Sequence, residues 1–411
     1  DFLSAAEILK KIMVEYIFSQ GWRHVVPYYH KYVTTSKGRW LNRKLLDVFV
    51  DEFHCEDANV RKDIETGILG LQLGNEQLGC DQSMTALITG KHRVVNKVHR
   101  HEPPVPGEAP MSNEDIVYED SEVIVVDKPM GVPTHASGAF NYNTLVEIVS
   151  SDLTNGLRVY PCHRLDSSTS GIIILAKDSK VVKNYSRSLL QLTSKIYLAL
   201  VDGEFPSKTE FIKVKQAVFN INTVNGTIEQ YERLPNDSKT LFKRLSFDAS
   251  TGRSLVMCKP LTGKTHQIRI HLRNLGFPIA NDIRYNSRIG SEVNKLANTI
   301  EQSIYSEIND SVAFVNLLDL KTWPKKKKQI EKLTEIKKDE LKRARESLGE
   351  ICPECRKTII KKDAGSDRGI YLHSFSYSVD NKRFTPRIPT WAQGISTEQI
   401  MLEEKAQIHD R

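Results

Sequence analysis

Short apolar runs bounded by polar residues constrain the fold of this chain more than any other feature of its sequence. Ser121–Asp127, Gly171–Lys177 and Ile196–Val201 have the length and the branched side chains of buried strands. Val181–Leu192 instead carries apolar residues at helical spacing, and Leu255–Cys258 is a further short strand. Because these strands and helices do not alternate in regular βαβ units, the pattern predicts an α+β fold.

Changes in composition divide the chain into segments. A capping box at Ser4–Glu7 precedes a helix predicted over residues 5–19, and Arg39, Arg43 and Lys44 start a second predicted helical run through Leu45, Leu46, Phe49 and Phe53. Four prolines and a glycine between residues 101 and 110 deny that stretch regular hydrogen bonding. The predicted segments are an N-terminal helical extension (1–37), a small module (38–105), a linker (106–111), the main domain (112–320), a basic helical insertion (321–368) and a returning strand with a C-terminal tail (369–411).

Composition excludes several classes of protein. The 411 residues carry 58 Lys and Arg against 51 Asp and Glu, and the 39% that are hydrophobic suffice for a folded core. No apolar run approaches the roughly 18–20 residues that cross a bilayer, so no transmembrane helix is expected. Four of the six cysteines are scattered singly, which is too sparse for a disulfide framework and predicts a reducing compartment.

Polar side chains crowd the segment that leads into the apolar run at 171–177. This segment contains His163, Arg164 and Asp166, followed by further hydroxyl residues and a glycine within five positions. Positive charge beside Asp166 would favour its ionised form and make the carboxylate available as a nucleophile or base. The alternative is a surface turn in which the hydroxyls bond the backbone and Asp166 pairs with Arg164.

Several blocks, in the expected order, resemble one known family. His163–Lys177 resembles the signature of the RluA-type pseudouridine synthases, and Lys195–Ala199 and Leu261–Leu272 resemble the later blocks of that family. Val125–Gly131 is similar to its opening strand and Lys-Pro turn, and Tyr371–Tyr377 resembles its closing strand. The resemblance covers about 112–290 and implies an RNA-modifying isomerase with a mixed, largely antiparallel central sheet.

The resemblance also implies roles for individual residues. Asp166 matches the catalytic aspartate, Tyr197 the tyrosine that packs on the target uracil, and Arg269 the basic residue that pairs with the aspartate. Arg164 matches the side chain that fills the space left by an extruded base. Further RNA contacts are expected from His163, Thr169, Lys195, Lys264, Thr265, His266 and Gln267. Isomerisation of uridine needs neither a redox step nor a metal, so no cofactor is expected.

The segment 38–105 resembles a diverged form of the small RNA-binding module that precedes the catalytic domain in many family members. Arg39–Lys44 and Val98–Val105 look most like eukaryotic tRNA-modifying members. Arg39, Arg43 and Lys44 are therefore expected to meet phosphates, and the alternative is an ordinary solvated basic helix. Residues 67–74 lack the pattern expected of a hairpin.

Two features of the C-terminal third stay open to more than one interpretation. Lys325–Lys328 could contact RNA or act as a nuclear signal, but acidic residues interleave with the lysines that follow, which favours a solvated helix. Cys352 and Cys355 form half of a zinc-binding pattern, with His373 as the attractive local partner. We expect reduced thiols and no metal there. The histidines at 266 and 271 lie about 140° apart around a helix, so they predict no metal either.

The sequence therefore predicts an RNA pseudouridine synthase that acts on the anticodon stem-loop of tRNA by an aspartate-centred reaction with base flipping. Its expected partner is RNA, with no membrane and no obligatory protein partner. Its expected location is cytoplasmic, with the nucleus and the mitochondrion as alternatives. The alternative functions are a catalytically silent RNA-binding or chaperone protein, a synthase for rRNA or mRNA, and a carboxylate-dependent nucleoside glycosidase or base exchanger.

Overall fold

The computed structural model describes residues 14–191, 194–223, 227–230, 238–307, 324–355, 358–360, 369–379 and 382–405. Among these residues the chain divides into two units. Unit 1 contains 14–15, Val25–Glu102 and 351–355, and unit 2 contains Tyr16–His24, 103–350 and 358–405 without the gaps just given.

The strands and helices of the described residues are as follows. The strands are β1 (Tyr16–Ser19), β2 (Trp22–Val25), β3 (Tyr28–Thr35), β4 (Leu69–Leu73), β5 (Glu76–Gln77), β6 (His92–Arg100), β7 (Val105–Pro106), β8 (Ile116–Glu119), β9 (Val123–Lys128), β10 (Tyr160–Pro161), β11 (Ser170–Ala176), β12 (Ser194–Asp202), β13 (Ile212–Lys215), β14 (Phe219–Asn222), β15 (Thr227–Gln230), β16 (Lys239–Asp248), β17 (Arg253–Pro260), β18 (Gly349–Ile351), β19 (Thr358–Ile360), β20 (Leu372–Val379) and β21 (Lys382–Phe384). The α-helices span Leu45–Phe53, Asp57–Glu65, Cys80–Thr85, Leu145–Asp152, Ser179–Gln191, Gln267–Asn274, Glu292–Glu307, Pro324–Leu348 and Thr397–Lys405.

Unit 1 is a four-stranded sheet, in the order β3-β6-β4-β5, that packs against helices. The second predicted helix is present at Leu45–Phe53, but its expected start at Arg39–Lys44 lies before the helix. The apolar face of the helix contributes Leu45 and Val48 to a core that also holds Ile64 and Leu71. Residues 67–74 do form one arm of a hairpin, β4 with β5, contrary to expectation. Four consecutive residues of β4 are buried, so both faces of the strand are covered along most of its length.

The helix predicted over residues 5–19 is wrong at its end, because Tyr16–Ser19 is a strand; residues 5–13 lie outside the described part of the chain. Tyr16 and Phe18 place their rings over the guanidinium of Arg23, at 3.8 and 5.3 Å. The expected linker is likewise ordered in part, since β7 pairs with β2 and Val105 is buried. Tyr16 and Phe18 are two residues apart, so a strand directs both rings to the same side, where they cover Arg23. This contact favours a strand over the helix that the capping box indicated.

The central sheet of unit 2 follows the order β13-β16-β17-β12-β20-β11-β9-β8, with β10 and β21 paired to β11 and β20. Its strands pair antiparallel except for β11 with β20, so the expected mixed, largely antiparallel sheet is confirmed. The predicted strands and the helix at Ser179–Gln191 are present. The strand expected to close the domain, β20, lies in the middle of the sheet, between β12 and β11.

The basic segment after residue 321 contains the long helix Pro324–Leu348. Ile330 and Leu333 are buried in a cluster with Ile300 and Ile304 of Glu292–Glu307, so one face packs and the charged faces meet solvent. None of the helices in the described ranges combines the length and the hydropathy needed to cross a membrane.

Gly171 allows the parallel pairing at the centre of the sheet. Its φ is +107°, and it lies opposite Ser374 in β20. A Cβ atom at this position would lie 2.3 Å from the carbonyl oxygen and 2.6 Å from the amide nitrogen of Ser374. Only glycine permits such an approach between two backbones.

Gly171→Ala is therefore expected to lower the free energy of unfolding by about 3 kcal/mol or more, from strain plus overpacking. Gly252→Ala is the matched control, since Gly252 also has a positive φ but has open space where a Cβ atom would lie. The control should cost only about 1 kcal/mol. Urea denaturation of both variants tests this, and equal losses would contradict the close approach as the cause.

Candidate active site

The sheet of unit 2 brings the separate sequence blocks together at one cleft. The strands that carry them, β11, β12 and β20, are neighbours, and Tyr197 of β12 lies opposite Ser374 of β20. The cleft has a volume of about 500 Å³. Its lining includes Asp166, Tyr197 and Arg269, together with the other unit 2 residues predicted as RNA contacts: His163, Arg164, Thr169, Lys195, Lys264, Thr265, His266 and Gln267.

Asp166 lies on the loop between β10 and β11, in a turn closed by the amide of Thr169, which donates to the Asp166 carbonyl at 3.1 Å. The buried hydroxyl of Thr134 donates to the carbonyl of Leu165 at 3.0 Å. On the other side, Gly131 N donates to the carbonyl of Ser167 at 2.8 Å. The backbone around Asp166 is thus fixed from both sides, which leaves its side chain, one quarter exposed, facing the cleft.

Lys128 is the residue in this loop system whose role the sequence did not reveal. Its side chain is fully buried, and Nζ donates to the carbonyls of Pro129, Val132 and Ser167 at 2.9, 2.8 and 3.1 Å. Three acceptors match the three N–H groups of an ammonium ion. Burial lowers the pKa of Lys128 to about 7. The sequence indicated this residue only as part of the Lys-Pro turn that resembles the family. It did not indicate what the lysine does.

Lys128→Met keeps a long side chain but removes all three donors. We expect a loss of about 2 kcal/mol in the free energy of unfolding, because buried carbonyls lose their partners. We also expect kcat to fall about tenfold, because the Asp166 loop loses its anchor. Lys295→Met, at an exposed lysine paired with exposed Glu292, is the control. Thermal denaturation and RNA turnover measure both effects, and a variant as stable and active as the control would contradict the anchoring role.

Arg269 holds two carboxylates at once. Its Nε and Nη2 atoms donate to the two oxygens of Asp282 at 2.7 and 2.9 Å, and Nη1 donates to Asp166 Oδ2 at 3.4 Å. Burial alone would raise the pKa of Asp282, but the charge and hydrogen bonds of Arg269 bring it below its usual value. The bidentate pair fixes the guanidinium plane. The predicted pairing of Arg269 with Asp166 is therefore present, with Asp282 as its support.

Tyr197 contacts a second tyrosine inside the cleft. The hydroxyl groups of Tyr197 and Tyr377 are 2.7 Å apart, and burial raises the pKa of Tyr197 to about 12. The ring of His163 stacks on Tyr377 with centroids 4.7 Å apart, and Lys195 Nζ lies 5.7 Å from the Tyr377 centroid. The sequence named Tyr377 as part of a strand only. Its place in the cleft follows from the central position of β20.

His163 is held by the protein itself. The amide of Ile174 donates to its Nε2 at 3.1 Å, which assigns the proton of the neutral ring to Nδ1. Burial, with a smaller contribution from the charge of Lys195, lowers the pKa of His163 to about 3. Its Nδ1 is buried and has no hydrogen-bond partner among the described residues. His163 is thus neutral near pH 7.

The loop between β17 and the helix Gln267–Asn274 forms the opposite wall. Gln267 Oε1 accepts from Thr262 Oγ1 and the amide of Lys264, at 2.8 and 3.0 Å. Its Nε2 donates to the carbonyl of Lys239 and to Thr240 Oγ1, both at 2.9 Å. The side-chain amide of Gln267 therefore stabilises the loop conformation, whereas the sequence predicted that it contacts RNA.

Two further side chains join this loop to the Asp166 loop. Arg164 Nη2 donates to Thr265 Oγ1 at 3.1 Å. His266 Nε2 is 3.6 Å from Asp166 Oδ2, and its Nδ1 is 2.8 Å from the hydroxyl of Tyr285. Burial, then the charge of Arg269, lowers the pKa of His266 to about 4. At neutral pH, Arg269 is therefore the charged partner of Asp166, and His266 is an uncharged neighbour.

The basic residues predicted to meet phosphates in unit 1 include two with carboxylate partners. Arg39 Nε lies 2.6 Å from Glu52, and Arg43 lies 3.2 Å from Glu52 and 2.6 Å from Asp51. Lys44 precedes the helix Leu45–Phe53 and forms a β-bridge with Leu87. Arg39 lies in the 3-10 turn Gly38–Trp40 and Arg43 precedes the helix, so neither is on a basic helix, and their ion pairs offset part of the positive charge.

Comparison with known proteins supports the same class that the site indicates. Residues 122–274 match the family model described as RNA pseudouridylate synthase. The chain is 32% identical over 415 residues to the tRNA pseudouridine(31) synthase of Saccharomyces cerevisiae, across 93% of this chain and 98% of that protein. It is 38% identical over 269 residues to the mitochondrial tRNA pseudouridine(32) synthase of the same yeast, across 64% of this chain and 55% of that protein.

A third relative is the pseudouridylate synthase RPUSD2 of Mus musculus, 30% identical over 421 residues, which cover 92% of this chain and 73% of that protein. The chain belongs to the RNA pseudouridylate synthase family. It is an isomerase that makes pseudouridine in RNA, as the sequence blocks predicted.

Proposed function

We propose that this protein isomerises a uridine in the anticodon stem-loop of tRNA, with Asp166 as its central catalytic residue. The observation that carries the proposal is the Asp166 carboxylate, which faces the cleft with the buried Arg269 guanidinium 3.4 Å away. The tRNA target is supported by two relatives whose names give tRNA positions 31 and 32. The reaction needs no cofactor in this proposal, because no electron is gained or lost.

The chemistry explains why a carboxylate is needed. Pseudouridine forms when the bond from ribose C1′ to uracil N1 breaks, the ring turns, C1′ rejoins at C5, the C5 proton leaves and N1 takes up a proton. A carboxylate can attack the sugar or the ring, or take a proton from the ribose, and Asp166 is the reacting group in each route. Arg269 positions this carboxylate and balances its charge.

Tyr197 provides a surface for the target base. Its ring lines the cleft, and its hydroxyl is hydrogen-bonded with that of Tyr377. Because burial raises its pKa to about 12, the hydroxyl keeps its proton at neutral pH and can donate it. In this role Tyr197 stacks on the uracil and takes part in proton transfer.

The target base must leave the RNA stack to reach Asp166. Arg164 is exposed at the cleft, where its contact with Thr265 is a single hydrogen bond that RNA could replace. In this proposal the Arg164 side chain fills the space that the extruded base leaves in the RNA stack. Thr169, Lys195, Lys264, Thr265 and His266 line the same cleft, and we assign them contacts to the extruded nucleotide. Contacts of Arg39 and Arg43 with phosphates would have to compete with the carboxylates in unit 1.

The test is tritium release from tRNA that carries 5-tritiated uridine, followed by mapping of pseudouridine along the product. Release of about one tritium per tRNA, mapped to the anticodon stem-loop, is expected, and a transcript with cytidine at the mapped position should release none. Release of free uracil would indicate a glycosidase. Binding without release across tRNA, rRNA and mRNA would indicate an RNA-binding protein, and release from rRNA or mRNA alone would contradict the tRNA target.

The proposed compartment is the cytoplasm. None of the six cysteines, all of which lie in the described ranges, forms a disulfide, as expected in a reducing compartment. A relative is named as mitochondrial, which makes the mitochondrion the compartment to compare. Cell fractionation with an antibody against this chain distinguishes the two, and enrichment with mitochondrial or nuclear markers would contradict the cytoplasmic assignment.

A further inference from the structure

Two histidines and two cysteines meet in unit 1, and none of them has a role in the proposed reaction. They are His99, His101, Cys352 and Cys355, and their ligand atoms all lie within 4.8 Å of one another. His99 and Cys352 are buried, and the other two are partly buried. A closely spaced group of two imidazoles and two thiols is a typical donor set for a metal ion.

The local backbone explains how each pair presents its ligand atoms. His99 lies near the end of β6, and His101 is two residues further on. Side chains two residues apart on an extended chain point to the same side. Cys352 and Cys355 lie in the turn between β18 and β19. A Cys-x-x-Cys turn of this kind brings two sulfur atoms to one ion.

The distances between donors fit a tetrahedral centre. Cys352 Sγ lies 3.6 Å from His99 Nδ1, and Cys355 Sγ lies 3.4 Å from His101 Nε2. Bonds of about 2.3 Å to sulfur and about 2.05 Å to nitrogen at the tetrahedral angle put the two donor atoms about 3.5 Å apart. Both observed separations lie close to that value, so an ion fits with little movement of the side chains.

The surroundings of His99 also fit a metal ligand. Its second nitrogen, Nε2, lies 3.4 Å from Glu354 Oε2. A carboxylate at the far nitrogen of a metal-bound imidazole fixes the ring orientation and raises its basicity. The ring of Tyr29 lies against His99 with centroids 4.8 Å apart, and that of His101 lies edge-on at 4.6 Å. The imidazole is therefore oriented by contacts other than those with the cysteines.

We propose that His99, His101, Cys352 and Cys355 bind one Zn²⁺ ion with a structural role. Two thiolates and two imidazoles in tetrahedral geometry select zinc over ions that prefer oxygen ligands. Four protein ligands leave no position for water, so the ion stabilises unit 1 and takes no part in the isomerisation. Each bound ion displaces the two thiol protons, which are released to solvent.

The proposal revises both expectations drawn from the sequence, which were thiols without a metal and His373 as the local partner. His373 belongs to unit 2, where its Nδ1 lies 2.8 Å from Ser170 Oγ. The histidines that do lie beside the cysteines are about 250 positions earlier in the chain.

The experiment compares the whole chain with Cys352→Ser, Cys355→Ser and the control Cys80→Ser, all purified under reducing conditions without chelator. Cys80 is exposed in unit 1 and outside the cluster. Elemental analysis should find one zinc per chain in the parent and control, and a loss of at least about 80% in both cluster variants. Co²⁺ added to the metal-free parent should give the visible spectrum of a tetrahedral thiolate site, which Cys80→Ser keeps and Cys352→Ser lacks.

Melting temperatures distinguish a zinc site from cysteines that stabilise the fold without a metal. Chelation of the parent should lower its melting temperature, and added Zn²⁺ should restore it, whereas the cluster variants should not respond to either. His101→Gln tests the histidine side and should also lose zinc. Absence of zinc in the parent both as purified and after reduction with added Zn²⁺ would overturn the proposal, as would zinc retained in both cysteine variants.

Discussion

Asp166→Asn should lower kcat by about 10³-fold or more while leaving RNA affinity and melting temperature close to those of the parent. Asparagine has the same shape and keeps an oxygen that can accept from Arg269 Nη1. It cannot act as a nucleophile or accept a proton as a carboxylate does. Because Asp166 is partly exposed and Arg269 keeps its bidentate partner Asp282, the substitution leaves no buried charge unpaired at this pair.

Asp282→Asn is the informative comparison, because it changes the other carboxylate of the same arginine. Asp282 is 1% exposed, so this variant should lose both stability and activity, whereas Asp166→Asn should lose activity alone. Glu292→Gln, at a carboxylate 80% exposed, controls for the change of charge. Single-turnover tritium release, RNA binding and thermal melting are measured together. Asp166→Asn activity within tenfold of the parent would contradict its catalytic role.

The sequence predicted those parts of the site that one continuous block contains. Asp166 and Arg269 were named because each lies in a recognisable motif, although 103 residues separate them. Buried strands such as Ser170–Ala176 were predicted because every residue in them is apolar or small. In these cases the local residue pattern itself carries the information.

Contacts between residues far apart in the sequence could not be predicted from local patterns. Tyr377 reaches Tyr197 because β20, which comes after a long insertion, inserts between β12 and β11. Lys128 was identified only as part of a Lys-Pro turn, since the sequence does not reveal that three carbonyls surround its Nζ. The Cys-x-x-Cys turn was assigned a nearby histidine, because sequence distance gave no reason to consider residues about 250 positions away.

A buried group of charged residues around Glu301 was also not predictable from the sequence. Its disruption is expected to have the largest effect on the free energy of unfolding. Glu301, on the helix Glu292–Glu307, is fully buried and accepts from Arg284 Nη2 at 2.6 Å, from the amide of Ile221 at 2.9 Å and from Arg273. Both arginines lie over the ring of Tyr285, whose hydroxyl contacts His266. The sequence indicated neither the burial of Glu301 nor its arginine partners.

Glu301→Gln is expected to lower the free energy of unfolding by about 3–5 kcal/mol, because two largely buried guanidinium groups then face a neutral amide. Glu292→Gln is the matched control on the same helix, and its cost should stay below about 0.5 kcal/mol. Although burial alone would raise the pKa of Glu301, its two arginines lower it, so folding favours the ionised form. This stabilisation is complete above the unfolded-state pKa of about 4.3 and is lost as the pH falls below it. Urea denaturation at pH 7 and pH 4 measures both effects, and equal stability of the two variants at pH 7 would contradict a buried ionised Glu301.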